Sequence, residues 1–416
     1  MSNRAFLILI VVIAVLVLID LYAYKGVSSA LSSASAQTRR IVRIVYWATS
    51  LAMLGMLIWA ALTFQQQRAA RNYAFMFQVS AIFIALLLPK LVLVAFHGLE
   101  DVVQLVRWGW WKVAPSEGSS GEVLTRTHFL SRIGLIAAAV PLTGVLYGMT
   151  RGRRRFRVEH IVIPAPGLPG SFDGLRIVQI SDLHLGSFEK ESDIVRTGVD
   201  LVNAQEPDLI LFTGDLVNDY ADEATPWLDE LARLHAPLGK YSILGNHDYS
   251  DYAPWDSAEA KAANMSLLQQ HHERVGFRLM LDEHVALEQD GERIGLLGCQ
   301  NWGRGFQQYG DLQKTMNGSE SYPYRILMSH DPTHWDAQVL GTGIDLTLSG
   351  HTHGAQFGVR IAGSTYSPAQ WIYKRWAGLY QEGGQHLYVN RGFGFIGFAG
   401  RVGMPPEITV LELQRT

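Results

Sequence analysis

An α/β layered domain carried behind a membrane-spanning helical region is the fold class this sequence predicts, on three observations. Long, nearly charge-free apolar stretches fill the first third of the chain. Short β-branched and leucine-rich runs then recur to its end, and each closes in a polar cluster. At 416 residues the chain exceeds what one hydrophobic core usually serves, so two structural units are expected. Hydrophobic residues make up 48% of it and charged residues 18%, and the charges are concentrated in the later part, which divides a lipid-facing segment from a water-facing one. Residues 1–150 are read as the membrane region with about four spans, 151–174 as a basic linker and entry strand, and 175–416 as the α/β domain.

A helix needs roughly 20 mostly apolar residues to cross the hydrocarbon layer, because its backbone polar groups must pair internally there. Phe6 to Ala23, Ile44 to Phe64 and Met76 to Phe96 meet that length, the last with Lys90 near its end and placed to snorkel. A fourth stretch, Phe129 to Tyr147, is shorter and carries Pro141. The first stretch lacks a small-residue cleavage site and is followed by further apolar segments, so it reads as a span and not as a leader. Four spans place the N-terminus and the α/β domain on one side of the membrane. Arg4, Arg68, Arg71 and the cluster Arg151, Arg153, Arg154, Arg155 and Arg157 favour the cytoplasmic side. Against them stand Lys25, Arg39, Arg40, Arg43, Arg107, Lys112, Arg126 and Arg132, together with Thr125 to Leu130, which resembles a twin-arginine export signal with its second arginine replaced. The side therefore stays open. Trp108, Trp110 and Trp111 fit an interfacial aromatic belt or packing between helices.

A formal net charge of −3 offers no electrostatic footprint for wrapping nucleic acid, so nucleic acid is not an obligate partner. The single cysteine, Cys299, has no internal partner for a disulfide and follows the apolar run Ile294 to Gly298, as a buried thiol would. His160 to Pro164 reads as the entry strand and Ala165 to Gly174 as a loop. Further strands are expected at Arg176–Ile180, Leu209–Thr213, Tyr241–Leu244, Ile294–Gly298, Tyr324–Ser329 and Leu346–Ser349. Their continuous apolar character suits strands buried on both faces. Glu189–Asn203, Ala224–Leu234 and Ser257–Val275 have helical character. In such an alternation functional groups collect on loops at the carboxyl ends of the strands.

Those loops carry the chemistry. The first runs Ser181-Asp182-Leu183-His184, where an extended backbone would aim Asp182 and His184 the same way, offering one oxygen and one nitrogen to a metal. Asp215 in Thr213-Gly214-Asp215 has two carboxylate oxygens, enough to bridge two cations. Gly245-Asn246-His247-Asp248, Ser329-His330-Asp331 and Gly350-His351-Thr352-His353 follow, each closing an apolar run. Gathering five polar clusters at buried strand ends is costly unless cations or phosphate neutralise and pair them.

In this order, D-x-H, G-D, G-N-H-D, a later H and G-H-x-H, the set from Asp182 to His353 resembles the calcineurin-like metallophosphoesterase superfamily. The resemblance covers about Arg157 to the end, and Asn390-Arg391-Gly392 with Pro405-Pro406-Glu407-Ile408 look like its membrane-associated bacterial branch. It implies a four-layer α/β/β/α metallophosphoesterase sandwich with two divalent metal ions, Mn, Fe or Zn. Carried across, Asp182, His184 and His353 would hold the first ion, Asn246, His330 and His351 the second, and Asp215 would bridge them. This mixed nitrogen and oxygen set lacks the thiolates of a structural zinc site. His247 would face the leaving group as general acid or phosphate donor, Asp248 would orient its imidazole, and Asp331 would cap its loop.

Departures from the family pattern narrow the activity. Leu216-Val217-Asn218 and Asp248-Tyr249-Ser250 lack the arginines with which the family's protein phosphatases clamp a phosphomonoester, and Asn218 replaces the tyrosine ligand of purple acid phosphatases. Ala355 interrupts the usual H-T-H-G-G-Q run, at little cost unless its position needs a positive φ. The resemblance and the membrane tether together imply a hydrolase of phosphoester or pyrophosphate bonds in a phosphorylated small molecule or lipid. A lipid-linked or sugar-nucleotide substrate resembling UDP-2,3-diacylglucosamine ranks first, and a general or cyclic-nucleotide phosphodiester second. A catalytically silent metal-binding membrane scaffold is the reading from a different class. Trp371 to Trp376 and Phe393 to Phe398 suit either the membrane interface or the core.

Overall fold

The computed structural model describes residues 3–113, 121–189, 192–362 and 364–416. They form two compact units, residues 1–67 with 78–147, and residues 68–77 with 148–416.

The first unit is helical. Helices α1 (Asn3–Ala30), α2 (Ala36–Ala69), α3 (Tyr73–Val113) and α4 (Gly121–Thr150) contain four segments long and apolar enough to cross a membrane. The chain is a multi-pass membrane protein. Lys90 departs from its expected place, because α3 runs for 41 residues and puts it well inside the helix. It is buried, with Nζ 2.5 Å from Asp20 Oδ1 of α1 and donating to Ser50 Oγ of α2 at 2.9 Å. The Ser50 hydroxyl donates to Asp20 Oδ1 at 3.0 Å, so three helices share one polar knot. An ammonium among apolar side chains needs such a partner, and a partner on another helix leaves no mark on the local pattern. Trp108 and Trp110 are exposed. The side chains of Arg107, Trp111 and residues 125–130, with the export-signal resemblance they carry, lie outside the described ones.

Two six-stranded sheets build the second unit. Its strands are β1 (Arg157–Ala165), β2 (Arg176–Ile180), β3 (Leu209–Phe212), β4 (Lys240–Ser242), β5 (Arg278–Leu279), β6 (Glu283–Gln289), β7 (Glu292–Gly298), β8 (Arg325–Met328), β9 (Leu346–Ser349), β10 (Val359–Ile361), β11 (Ser364–Tyr366), β12 (Gly378–Glu382), β13 (Gln385–Val389) and β14 (Glu407–Arg415). The first sheet has the order β1-β14-β2-β3-β4-β5 and the second β12-β13-β9-β8-β7-β6. Within these two sheets pairing is parallel except at β14–β2, β6–β7 and β12–β13, and β10 and β11 form a separate antiparallel pair. Ile177, Leu209, Leu211 and Ile243 of the first sheet's side pack against Leu296, Ile326, Leu346 and Leu348 of the second, forming the central core. Helix α5 (Ile194–Asn203) buries Val195, Val199 and Val202, one stripe of a helical period. On the second sheet's other face Leu327 and Leu387 pack with Trp335 and Val339 of the turn that follows β8. The layers are therefore α/β/β/α.

Local chemistry explains the helix bounds. In α7 (Ala258–Val275), the Ser257 hydroxyl accepts from Ala260 N–H at 3.2 Å and Gly276 closes the helix at φ 86°. The helix expected over Ala224–Leu234 is shorter, with α6 confined to Leu228–Leu231 after a 3₁₀ turn, Thr225–Trp227, that contains Pro226. Phe393, Phe395 and Phe398 are buried, so that apolar stretch is core, whereas Trp371 and Ile372 are 81% and 74% exposed.

Candidate metal centre

Strands β2, β3, β8 and β9 end side by side, and the loops that leave them, with the one after β4, bring the five motifs together. Asp182, His184 and His353 place one ligand atom each within 4.8 Å of one another, and Asp215, His330 and His351 do the same. Asp215 joins the two groups: its Oδ2 lies 3.6 Å from His184 Nε2 and 3.1 Å from His330 Nε2. Asn246 belongs beside the second group, with Oδ1 2.9 Å from His351 Nδ1. His353 Nε2 stands 3.3 Å from Asp182 Oδ1 and 3.1 Å from His184 Nε2.

The backbone reaches this arrangement by a route other than the expected one. Asp182, His184, Asp215, His351 and His353 all have positive φ, at 54°, 47°, 60°, 70° and 49°. Asp182 and His184 therefore converge through left-handed turns and not by the alternation of an extended strand. Each such residue costs about 1–2 kcal/mol in an L-amino acid, and strain gathered this way marks functional sites. Ala355 has φ 50° as well, so this glycine position is one that needs a positive φ, and the alanine there is strained. Gly245 is needed for space, since a Cβ there would lie 2.2 Å from Asp215 Oδ1.

The electrostatics suit cations. Burial opposes ionisation of Asp182 and Asp215, but the facing histidines outweigh it and hold both carboxyls below the usual range. Burial keeps the imidazoles of His184, His351 and His353 below their ordinary value. At His330 burial is overcome by Asp215 and Asp182, which push it up to about 10. A divalent ion requires ionised carboxylates and neutral imidazoles, so at His330 an ion would take the place of the proton that Asp215 and Asp182 hold there. His330 Nε2 is buried, has no hydrogen-bond partner among the described residues, and faces Asp215, which fits a donor for a cation. Its Nδ1 is fixed on the Thr213 carbonyl at 2.7 Å, as a ligating histidine's far nitrogen usually is.

His247 lies at the rim of the pair. Its N–H donates to Asp215 Oδ1 at 2.9 Å, and its Nδ1 is 2.8 Å from the Asn218 carbonyl. Asp248 does not orient it. That buried carboxylate accepts from Gly245 and Asp215 N–H through Oδ2, at 2.9 and 2.8 Å, and from Leu216 and Val217 N–H through Oδ1, at 2.8 and 3.3 Å. It staples the loop after β3 to the loop after β4. Burial, with Asp215 adding to it, pushes the Asp248 carboxyl up to about 7, while four converging N–H donors present the geometry of the ionised, acceptor-only form. Asp331 caps its loop as expected, accepting from Thr333 N–H and Oγ1 at 2.8 and 2.7 Å, and its Oδ2 also faces His351 Nε2 at 3.6 Å.

Residues without a motif complete the site. The Tyr373 hydroxyl is 3.0 Å from His351 Nε2, and the Tyr252 hydroxyl accepts from Asn246 Nδ2 at 3.0 Å. Arg401 is buried, donates to the carbonyls of Arg391, Gly392 and His353, and comes within 3.2 Å of His353 Nδ1. Burial lowers its guanidinium to about 9. An apolar neighbourhood around Arg401 in sequence would have been the one hint, and it also describes ordinary core.

Paired carboxylates and imidazoles at the strand ends of a two-sheet sandwich define the class, a metal-dependent phosphoesterase. Comparison with known proteins agrees. A model of the calcineurin-like phosphoesterase family matches residues 175–355, and one described as a probable calcineurin-like phosphoesterase transmembrane domain matches residues 3–153. The Bacillus subtilis metallophosphoesterase YkuE is 32% identical over 302 residues, 70% of this chain and 99% of that one. A Bos taurus transmembrane protein with metallophosphoesterase domain is 29% identical over 77% of this chain and 70% of its own length. The Escherichia coli phosphodiesterase YaeI is 28% identical over 57% of this chain and 82% of its own. The chain belongs to the calcineurin-like phosphoesterase family, as a multi-pass membrane member.

Proposed function

We propose that this protein hydrolyses a phosphodiester or pyrophosphate bond of a lipid-linked or sugar-nucleotide substrate, using two divalent ions of Mn, Fe or Zn. One observation carries the reading: Asp215 Oδ2 faces ligand atoms of both groups, as a bridge between two ions would. Asp182, His184 and His353 would hold one ion and Asn246, His330 and His351 the other. When bound, the ions neutralise phosphoryl oxygens and lower the pKa of water so that it attacks phosphorus at neutral pH.

The protein's own contribution at the leaving group is His247. Because its Nδ1 faces a carbonyl oxygen, that nitrogen must donate, and Nε2 carries a proton to give only when the ring is an imidazolium. Protonating the leaving oxygen from there contributes roughly 10²–10⁴-fold in rate. Asp248 acts on neither proton; it holds the two loops so that Asp215 and His247 keep their spacing. The exposed Trp371 and Ile372 lie just before Tyr373, which touches His351, so an acyl chain would find apolar surface next to the centre.

The test uses the full chain in detergent or nanodiscs, stripped of metal and resupplied with Mn²⁺. It should cleave bis-p-nitrophenyl phosphate, and membrane lipid extracts should lose a phosphorylated species with the native enzyme but not with Asp215→Asn. Equal turnover by that variant would end the reading, and consumption of water-soluble phosphodiesters alone would replace the lipid substrate with the general one.

A further inference from the structure

Ten residues, Arg68–Phe77, covering the end of α2, the turn after it and the start of α3, belong to the same compact unit as the catalytic sheets. From the end of α2, Arg68 donates to Asp219 through Nε at 3.0 Å and through Nη2 at 2.7 Å. The Tyr73 hydroxyl, at the start of α3, donates to Asp219 Oδ2 at 2.5 Å. Arg71 pairs with Asp222, and its guanidinium sits 4.8 Å from the centre of the Tyr220 ring. One turn thus grips the loop after β3 at three adjacent points.

What that loop holds gives the grip its meaning. Asp219 follows Asn218, whose carbonyl fixes His247 Nδ1. On its inner side the loop is fastened by Glu223, which accepts the N–H groups of Asn218, Asp219 and Tyr220 at 2.7, 3.0 and 2.8 Å. The outer fastening is the Asp219 carboxylate, 2% exposed and held by the arginine fork and the phenol. A buried carboxylate stripped of such partners moves toward water and takes its backbone with it. The geometry points to Arg68 and Tyr73 as positioning residues that set His247 through Asp219 and the Asn218 carbonyl, so that a membrane-helix turn completes the catalytic apparatus. This rests on the proposed role of His247 as leaving-group acid.

The experiment exploits that role. A proton donor matters for a poor leaving group such as an alkoxide and little for p-nitrophenolate, which departs unassisted. Full-length Arg68→Ala and Tyr73→Phe are compared with His247→Ala on an alkyl p-nitrophenyl phosphodiester and on a dialkyl phosphodiester, with bound metal measured in each. The proposal expects both turn variants to keep their metal, to lose on the order of 10-fold or more in kcat on the dialkyl substrate, and to stay within about twofold on the nitrophenyl one. Tyr73→Phe keeps its ring beside Phe77 and serves where Arg68→Ala does not fold. Removing both partners gives a second check: Arg68→Ala with Asp219→Ala, which leaves no orphaned carboxylate, should recover stability but not native turnover of the dialkyl substrate. Equal losses on both substrates, loss of metal, or unchanged kinetics would overturn the coupling. If His247→Ala itself shows no leaving-group dependence, the reading of His247 fails first, and the coupling falls with it.

Discussion

Replacing Asp248 by asparagine separates two accounts of the same residue. As the staple between the loops after β3 and β4, its carboxylate receives four backbone N–H groups, two on each oxygen. An amide keeps one oxygen and turns an NH₂ toward the other two donors, so two charge-assisted hydrogen bonds are lost inside the protein. At about 1.5–3 kcal/mol each the cost is roughly 3–6 kcal/mol, a large share of the 5–15 kcal/mol typical of a whole domain. Urea unfolding of the full chain in micelles, followed by near-ultraviolet circular dichroism, should show the midpoint falling by at least about 1 M for slopes of 1–3 kcal/mol per molar. If the midpoint instead stays within about 0.3 M of native while turnover vanishes, Asp248 acts chemically on His247 and the staple account is wrong.

Two further outcomes follow from single side chains. Ala355→Gly should raise stability by about 1 kcal/mol, because φ 50° strains alanine and not glycine, and a lowered unfolding midpoint would show that the strain is not there. His272 is buried against Phe212 with Nδ1 2.9 Å from Ser242 Oγ, and burial depresses it to about 3. Its folded value lies below its unfolded one, so the unfolded chain binds the extra proton and stability is lost as pH falls from about 6.5 toward 3. By pH 5 that amounts to about 2 kcal/mol. His272→Gln should flatten this acid limb, and an unchanged slope between pH 7 and 5 would assign the loss to other groups.

Much of the site was legible because its residues recur in a fixed order at strand ends. Asp182, Asp215, His330, His351 and His353 each follow an apolar run, and it was the fixed order of those five clusters, not any one strand end, that set them apart from ordinary turns. The central strands were readable from the same runs: β3 is apolar throughout, and β2 and β9 carry their apolar residues on a backbone buried along nearly its whole length, as strands covered on both faces are. Edge and hairpin strands were not. β6 and β12 are half-exposed and mix polar with apolar residues, so their pattern resembles loop. Backbone conformation was also hidden. Nothing in Ser181-Asp182-Leu183-His184 signals two left-handed residues, because the energy that holds them comes from contacts made across the site. The same holds for Lys90 and Arg68, whose partners Asp20 and Asp219 stand 70 and 151 positions away, in a count that only the folded chain makes short.

Elemental analysis of the purified full-length protein tests the central claim most directly, which is that seven side chains cage two ions around Asp215. Two transition-metal ions per chain are expected in the native protein, with Asp215→Asn folded but holding fewer. A native chain that folds, hydrolyses phosphodiesters and carries no ion, or an Asp215→Asn variant that still carries two, would contradict it.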